Sequence, residues 1–183
     1  FYARKGTLVH EPEDIRTDAG APYSVFTPFL RRWRSLAHRD ISVAPDLIPG
    51  PTGISPGVLP SVQSLGLSRP TAGLIEAGET AALRRLAEWA TSGMAGYATG
   101  RDVLAANHTS RVSQDLRFGT ISPLQVLTAL GRESDDAEKF TSEIAWREFY
   151  YHTLWHHPRV LREPFQAQFG SLRWAEEPNR FDA

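Results

Sequence analysis

The sequence predicts a mostly α-helical chain: one brief strand near the start, a proline- and glycine-rich linker, and an all-α second half. Three observations carry this. From about Ala44 to Pro70, Pro45, Pro49, Pro51, Pro56, Pro60 and Pro70 recur with Gly50, Gly53 and Gly57, which excludes a long regular element. After Ala77-Gly78 the apolar residues fall at helical spacing. Helix start and stop signals then recur through to Pro158.

Each element has a local reason. Leu8-Val9-His10, between Gly6 and Pro12, reads as the brief strand. Tyr23 to Leu30 is an apolar cluster leading into Arg31-Arg32-Trp33-Arg34, with Thr27 expected as N-cap and Pro28 at the first helical position. Leu83, Leu86, Ala87 and Ala90 form one helix face opposite Arg84, Arg85 and Glu88, and Gly93 is the expected stop. Ser122-Pro123 opens a helix through Leu124, Val126, Leu127 and Leu130 that Gly131 closes. Asp135 followed by Glu138 resembles a capping box and starts a long helix to about His156, ended by Pro158.

Composition narrows the function. Of 183 residues 41% are hydrophobic and 22% charged, and no apolar run is long enough to span a bilayer, so a membrane partner is not expected. Cysteine is absent, which removes disulfides, thiolate metal sites and cysteine nucleophiles, and a cytoplasmic location is the simplest expectation. The first residues, Phe1-Tyr2-Ala3-Arg4-Lys5, carry no signal pattern and enter directly into domain-like sequence, as at a cut end. A formal net charge of −1 gives no global attraction to nucleic acid, so any DNA contact needs a local patch. Lysine occurs only at positions 5 and 139; the basic residues are otherwise arginine, the better bidentate partner for phosphate, although a GC-rich coding sequence gives the same bias.

Four groups of residues have chemical potential. Thr109-Ser110-Arg111-Val112-Ser113 gathers three hydroxyls and a guanidinium in a non-helical approach to a helix, able to meet a phosphate, or else to serve as an ordinary cap with a solvated arginine. Glu143, Trp146, Arg147 and Tyr150 lie on one helical stripe. Such a stripe can stack a nucleobase on Trp146, hydrogen-bond it at Glu143 and meet a phosphate with Arg147; the bland alternative is a core tryptophan beside a surface ion pair. Tyr97 and Arg101, one turn apart, form either a cation–π contact or a ligand wall. His152 and His156 have zinc-sharing spacing, but Thr153 stands where a metalloprotease carries its glutamate, so no metal is expected.

Taken in order, Tyr97-x-x-x-Arg101-Asp102, Thr109 to Ser113, Phe118-Gly119-Thr120-Ile121-Ser122-Pro123 and Trp146-Arg147-Glu148-Phe149-Tyr150 resemble the flavin-binding domain of the photolyase and cryptochrome family. Tyr23 to Phe29 and Ala77-Gly78-Glu79 are similar to that family's interdomain passage. The resemblance implies residues 1–43 as the end of an α/β antenna domain, 44–76 as a linker and 77–183 as the first half of an all-α FAD-binding domain. It implies FAD held at Tyr97, Thr109, Ser110, Arg111, Val112 and Ser113, with Val112 replacing the leucine of many relatives, and a second antenna chromophore, folate or deazaflavin, in the complete protein.

The resemblance further implies DNA containing pyrimidine dimers as the partner of a monomer. Glu143 and Trp146 would act on the flipped-out dimer, and Arg101, Arg147 and Tyr150 would lie toward DNA. The Glu143 and Trp146 pair is closest to the cyclobutane-dimer enzymes, which repair by light-driven electron transfer from reduced FAD. Ending at Ala183, the chain lacks the segments that complete the flavin cup in this family, so alone it is expected to bind FAD poorly and repair nothing. A cryptochrome-like blue-light receptor and a non-catalytic helical interaction fragment are the alternatives.

Overall fold

The computed structural model describes residues 5–43, 45–55, 57–68, 73–131 and 134–173. Among these residues six α-helices run in order: α1 (Phe26–Ser35), α2 (Glu79–Glu88), α3 (Tyr97–Gly100), α4 (Ser113–Phe118), α5 (Pro123–Leu130) and α6 (Asp135–His156). A π-helical turn, Trp89–Gly93, extends α2, and 3-10 turns at Pro158–Leu161 and Ala167–Ser171 follow α6. The described residues contain no strand, in keeping with the mostly α expectation. They form two compact units, residues 1–38 with 137–183, and residues 39–136.

The first unit is built on α1 and the body of α6. Phe26, Phe29 and Trp33 of α1 recur at helical spacing, and Phe29 and Trp33 are fully buried. Along α6, Ala137, Phe140, Ile144, Ala145 and Phe149 form the opposing apolar face. Phe29 meets Phe149 edge-on with ring centroids 5.2 Å apart.

Two sequence expectations are corrected here. Leu8-Val9-His10 is a series of bends, because the backbone N–H groups of Val9 and His10 donate to the side chain of Glu148 and no neighbouring strand receives them. Thr27 is not the N-cap of α1; extended Val25 is, without a side-chain cap, and Thr27 is the second helical residue. Pro28 fits at the third, where the first-turn N–H it lacks would have no intrahelical partner. Starting the helix at Phe26 puts that ring on the face shared by Phe29 and Trp33.

In the second unit, α2 packs on α5, and Ala82, Leu86, Val112, Ile121, Val126 and Leu130 are among its buried residues. α5 begins as expected, with Pro123 at the first position and Ser122 capping; Ser122 and Gln125 complete a reciprocal capping box. Gly93 is the last residue of the π-helical turn, and a Cβ there would lie 2.7 Å from the Trp89 indole. Residues 45–55 and 57–68 hold turns but no helix or strand, as their prolines and glycines require. No described helix is long and apolar enough to cross a membrane.

Candidate functional site

The predicted stripe on α6 exists and its central ring is held from two sides. Trp146 is half-buried and lies flat on Phe26, centroids 3.6 Å apart and planes 11° apart. Phe149 meets it edge-on at 5.7 Å, and Tyr150 lies nearly parallel at 5.8 Å. Tyr150 itself is 65% exposed. Glu143 is half-buried and within 3.9 Å of the Lys139 ammonium, one turn earlier. Arg147 donates to the Thr7 carbonyl at 3.1 Å and lies 4.8 Å over the Tyr151 ring. The four α6 residues therefore share one helix, with Trp146 and Tyr150 in direct ring contact.

Below this stripe a buried polar centre fixes α1 to α6. Glu148 is 2% exposed, and its carboxylate accepts from the Trp33 indole at 2.7 Å, from His10 N–H at 3.2 Å and from Val9 N–H. Burial raises its pKa, partly opposed by these donors. His10 and His38 pack beside Trp33, at 5.6 and 5.5 Å. Desolvation, followed by the neighbouring His38, lowers the His10 pKa to about 4.

The paired histidines of α6 are structural. His152 is buried, its Nε2 accepts the Tyr23 N–H at 3.0 Å, and His156 Nε2 reaches the Pro12 carbonyl at 3.2 Å. Their rings meet edge-on at 4.5 Å. Burial, then the neighbouring His156, lowers the His152 pKa to about 4.

The other predicted residues lie in the second unit. Tyr97 is buried edge-on against Trp89 at 5.7 Å, and the Arg101 guanidinium lies 6.0 Å from the Tyr97 ring while also reaching Asp102 at 3.2 Å. Asp136, at the start of α6, accepts from Gly96 N–H at 2.9 Å and Ala98 N–H at 2.7 Å and so caps α3 from outside. The same two bonds, from Ala98 and then Gly96, lower its pKa.

The segment from Thr109 to Val112 is non-helical and Ser113 opens α4. Thr109, Arg111 and Ser113 are exposed, Ser110 is half-buried, and Val112 is an apolar anchor in the core. Arg111 holds a left-handed backbone, φ +52°, unusual for a residue with a side chain. His108 joins this segment to α3, occupying the space where a Cβ on Gly100 would lie 2.5 Å from its ring. The exposed hydroxyls and guanidinium on a buried hydrophobic anchor fit a phosphate-bearing cofactor.

Within α4, Asp115 is buried and paired with Arg85 at 2.6 Å; Thr120 and Gln114 also donate to its carboxylate at 3.2 and 3.3 Å. The sequence reading missed Phe26, Glu148, His108, Asp136 and the Arg85–Asp115 pair. For Phe26 the signal was available in the Phe26, Phe29, Trp33 spacing; the others join residues distant in sequence and left none.

One unit carries an aromatic ring, a carboxylate and a guanidinium on one helix, and the other carries a hydroxyl-rich turn; these are groups able to meet flat heterocycles and phosphates. Over nearly its whole length the chain is similar to DNA photolyases. Residues 140–183 match the family described as the FAD binding domain of DNA photolyase. A deoxyribodipyrimidine photo-lyase of Agrobacterium fabrum is 34% identical over 97% of the chain, and one of Halobacterium salinarum 35% over 95%. The crystal structure of a bacterial class III photolyase from Agrobacterium tumefaciens superposes with a TM-score of 0.76 at 30% identity, covering 97% of this chain and 39% of that one. The chain spans about two fifths of the length of these curated relatives, 40% and 39%.

Proposed function

We propose that these residues form part of a flavoenzyme that repairs cyclobutane pyrimidine dimers in DNA by light-driven electron transfer. The observation that carries the reading is the aromatic, acid and arginine stripe of α6, with Trp146 held flat on Phe26. Names of the relatives, deoxyribodipyrimidine photo-lyase, agree with it. In this reading residues 1–43 end an α/β domain, 44–76 link, and 77–183 begin the flavin-binding domain.

Each side chain has a role within its chemical means. Trp146 offers a flat apolar surface to an extruded base, where stacking contributes about 1–3 kcal/mol. Glu143 accepts hydrogen bonds from base N–H groups, and Arg147 and Arg101 meet the DNA backbone, with Tyr150 at the exposed edge. Thr109, Ser110, Arg111 and Ser113 hold the phosphates and ribityl chain of FAD, with Tyr97 at its side and Val112 fixing the turn from below. Bound FAD supplies the light absorption and the electron. The protein's own part is to hold the lesion in place and keep water away.

The test is repair itself. The complete protein that carries these residues, reduced and illuminated, should remove thymine dimers from DNA, and Trp146→Ala should weaken its dimer binding. A protein that binds FAD and is photoreduced yet leaves dimers intact would be a light receptor instead.

A further inference from the structure

A side chain that stacks on a base binds it more tightly when its ring is already held, because a tryptophan free to rotate loses rotamer entropy on binding. In this chain the supporting partner is Phe26. Its ring covers one face of Trp146 at 3.6 Å and 11°, a near-parallel overlap that leaves at most the other face for a ligand. Phe26 is in turn fixed by Phe29, nearly parallel at 6.4 Å, and by Phe149, edge-on at 5.8 Å. Two helical turns along α1, the Trp33 indole is bonded to Glu148. Phe26 thus rests on a helix whose register against α6 is set by a buried hydrogen bond.

Resting on the proposed role of Trp146 in base stacking, we infer that Phe26 is a positioning residue for lesion recognition: it closes one face of Trp146 and holds the ring in the plane that receives a single base. With one face closed, Trp146 cannot intercalate between two bases and must stack from one side only. The open face takes one base, or one ring of an extruded pyrimidine pair, at a time.

The complete protein is compared as wild type, Phe26→Met, Phe26→Tyr, Trp146→Ala and the Phe26→Met/Trp146→Ala double variant. Met fills the volume without offering a plane. The measurement is the ratio of affinities for a short oligothymidylate with one cyclobutane dimer and for the same strand undamaged. Phe26→Met should lower that ratio about two- to tenfold, the span expected for coupling within one aromatic pair. Phe26→Tyr should preserve it, and Phe26→Met should add nothing in the Trp146→Ala background.

A Phe26→Met ratio equal to wild type, while Trp146→Ala lowers it, overturns the inference and leaves the functional reading standing. So do equal, additive losses in the two backgrounds, which mark a general loss of fold. A ratio unchanged by Trp146→Ala overturns the functional reading and the inference with it. Should Phe26→Met fail to fold, Phe26→Leu is read in its place by the same criteria.

Discussion

The indole N–H of Trp33 and the carboxylate of Glu148, 115 residues apart in sequence, meet at 2.7 Å with both side chains buried. This bond and the two from Val9 and His10 gather the N-terminal segment, α1 and α6 at one carboxylate. Glu148→Ala leaves three buried donors without an acceptor and should destabilise the unit by about 3 kcal/mol or more, since each such group costs about 1–3. Trp33→Phe removes one bond and keeps most of the packing, so it should cost about 1 kcal/mol for the bond. Urea unfolding of the two variants checks the order; equal costs would mean that the carboxylate matters only through Trp33.

The Arg85–Asp115 pair behaves differently because an ion pair can be removed whole. Asp115 is nearly inaccessible and Arg85 largely covered. Arg85→Ala strands a buried carboxylate and should cost about 3–5 kcal/mol, whereas Arg85→Met with Asp115→Leu should return much of it. A double variant as unstable as Arg85→Ala would show that the Thr120 and Gln114 bonds to Asp115 dominate.

Acid should weaken the first unit through its histidines. His10 and His152 have folded pKa values of about 4 against an ordinary value of 6.5. Both are held neutral in the fold, so between these values the unfolded chain binds more protons and stability falls as pH drops from about 6.5 toward 4. Glu148, shifted upward, contributes with the opposite sign, its stabilisation being greatest below the usual carboxylate range and lost as pH rises. His152→Gln should flatten the acid-side fall in thermal stability measured across this window. A slope unchanged by the substitution would place the titration elsewhere.

Gly100 is spaced by His108 and not by its own backbone needs. A Cβ at Gly100 would lie 2.5 Å from the His108 ring, so Gly100→Ala must displace His108 and the start of the Thr109–Ser113 segment. Retention of FAD by the complete protein should fall in Gly100→Ala and recover in the Gly100→Ala/His108→Ala pair; retention unaffected by Gly100→Ala would separate the segment from the cofactor.

Which features were legible depends on the range of the interaction that makes them. α5 was readable to the residue because Ser122, Pro123 and Gly131 act within a turn of themselves, and α6 because its apolar spacing and Pro158 are local too. The strand at Leu8-Val9-His10 failed because the acceptor for its N–H groups is Glu148, about 140 positions away. The stripe of Glu143, Trp146, Arg147 and Tyr150 follows from helical geometry alone, so its members were found. Phe26 belongs to the legible Phe26, Phe29, Trp33 spacing, but its stacking behind Trp146 required knowing that α1 packs on α6. Motif order then carried the family likeness further than any single residue type.

The most direct measurement is dimer repair by the complete protein that contains these residues, reduced, supplied with FAD and illuminated, with thymine dimers in DNA quantified before and after. The account predicts that dimers are lost only in the light, and that Trp146→Ala weakens binding of dimer-containing DNA by about 1–3 kcal/mol and lowers repair accordingly. Dimers that persist under illumination, in a protein that holds FAD and is photoreduced, would contradict it.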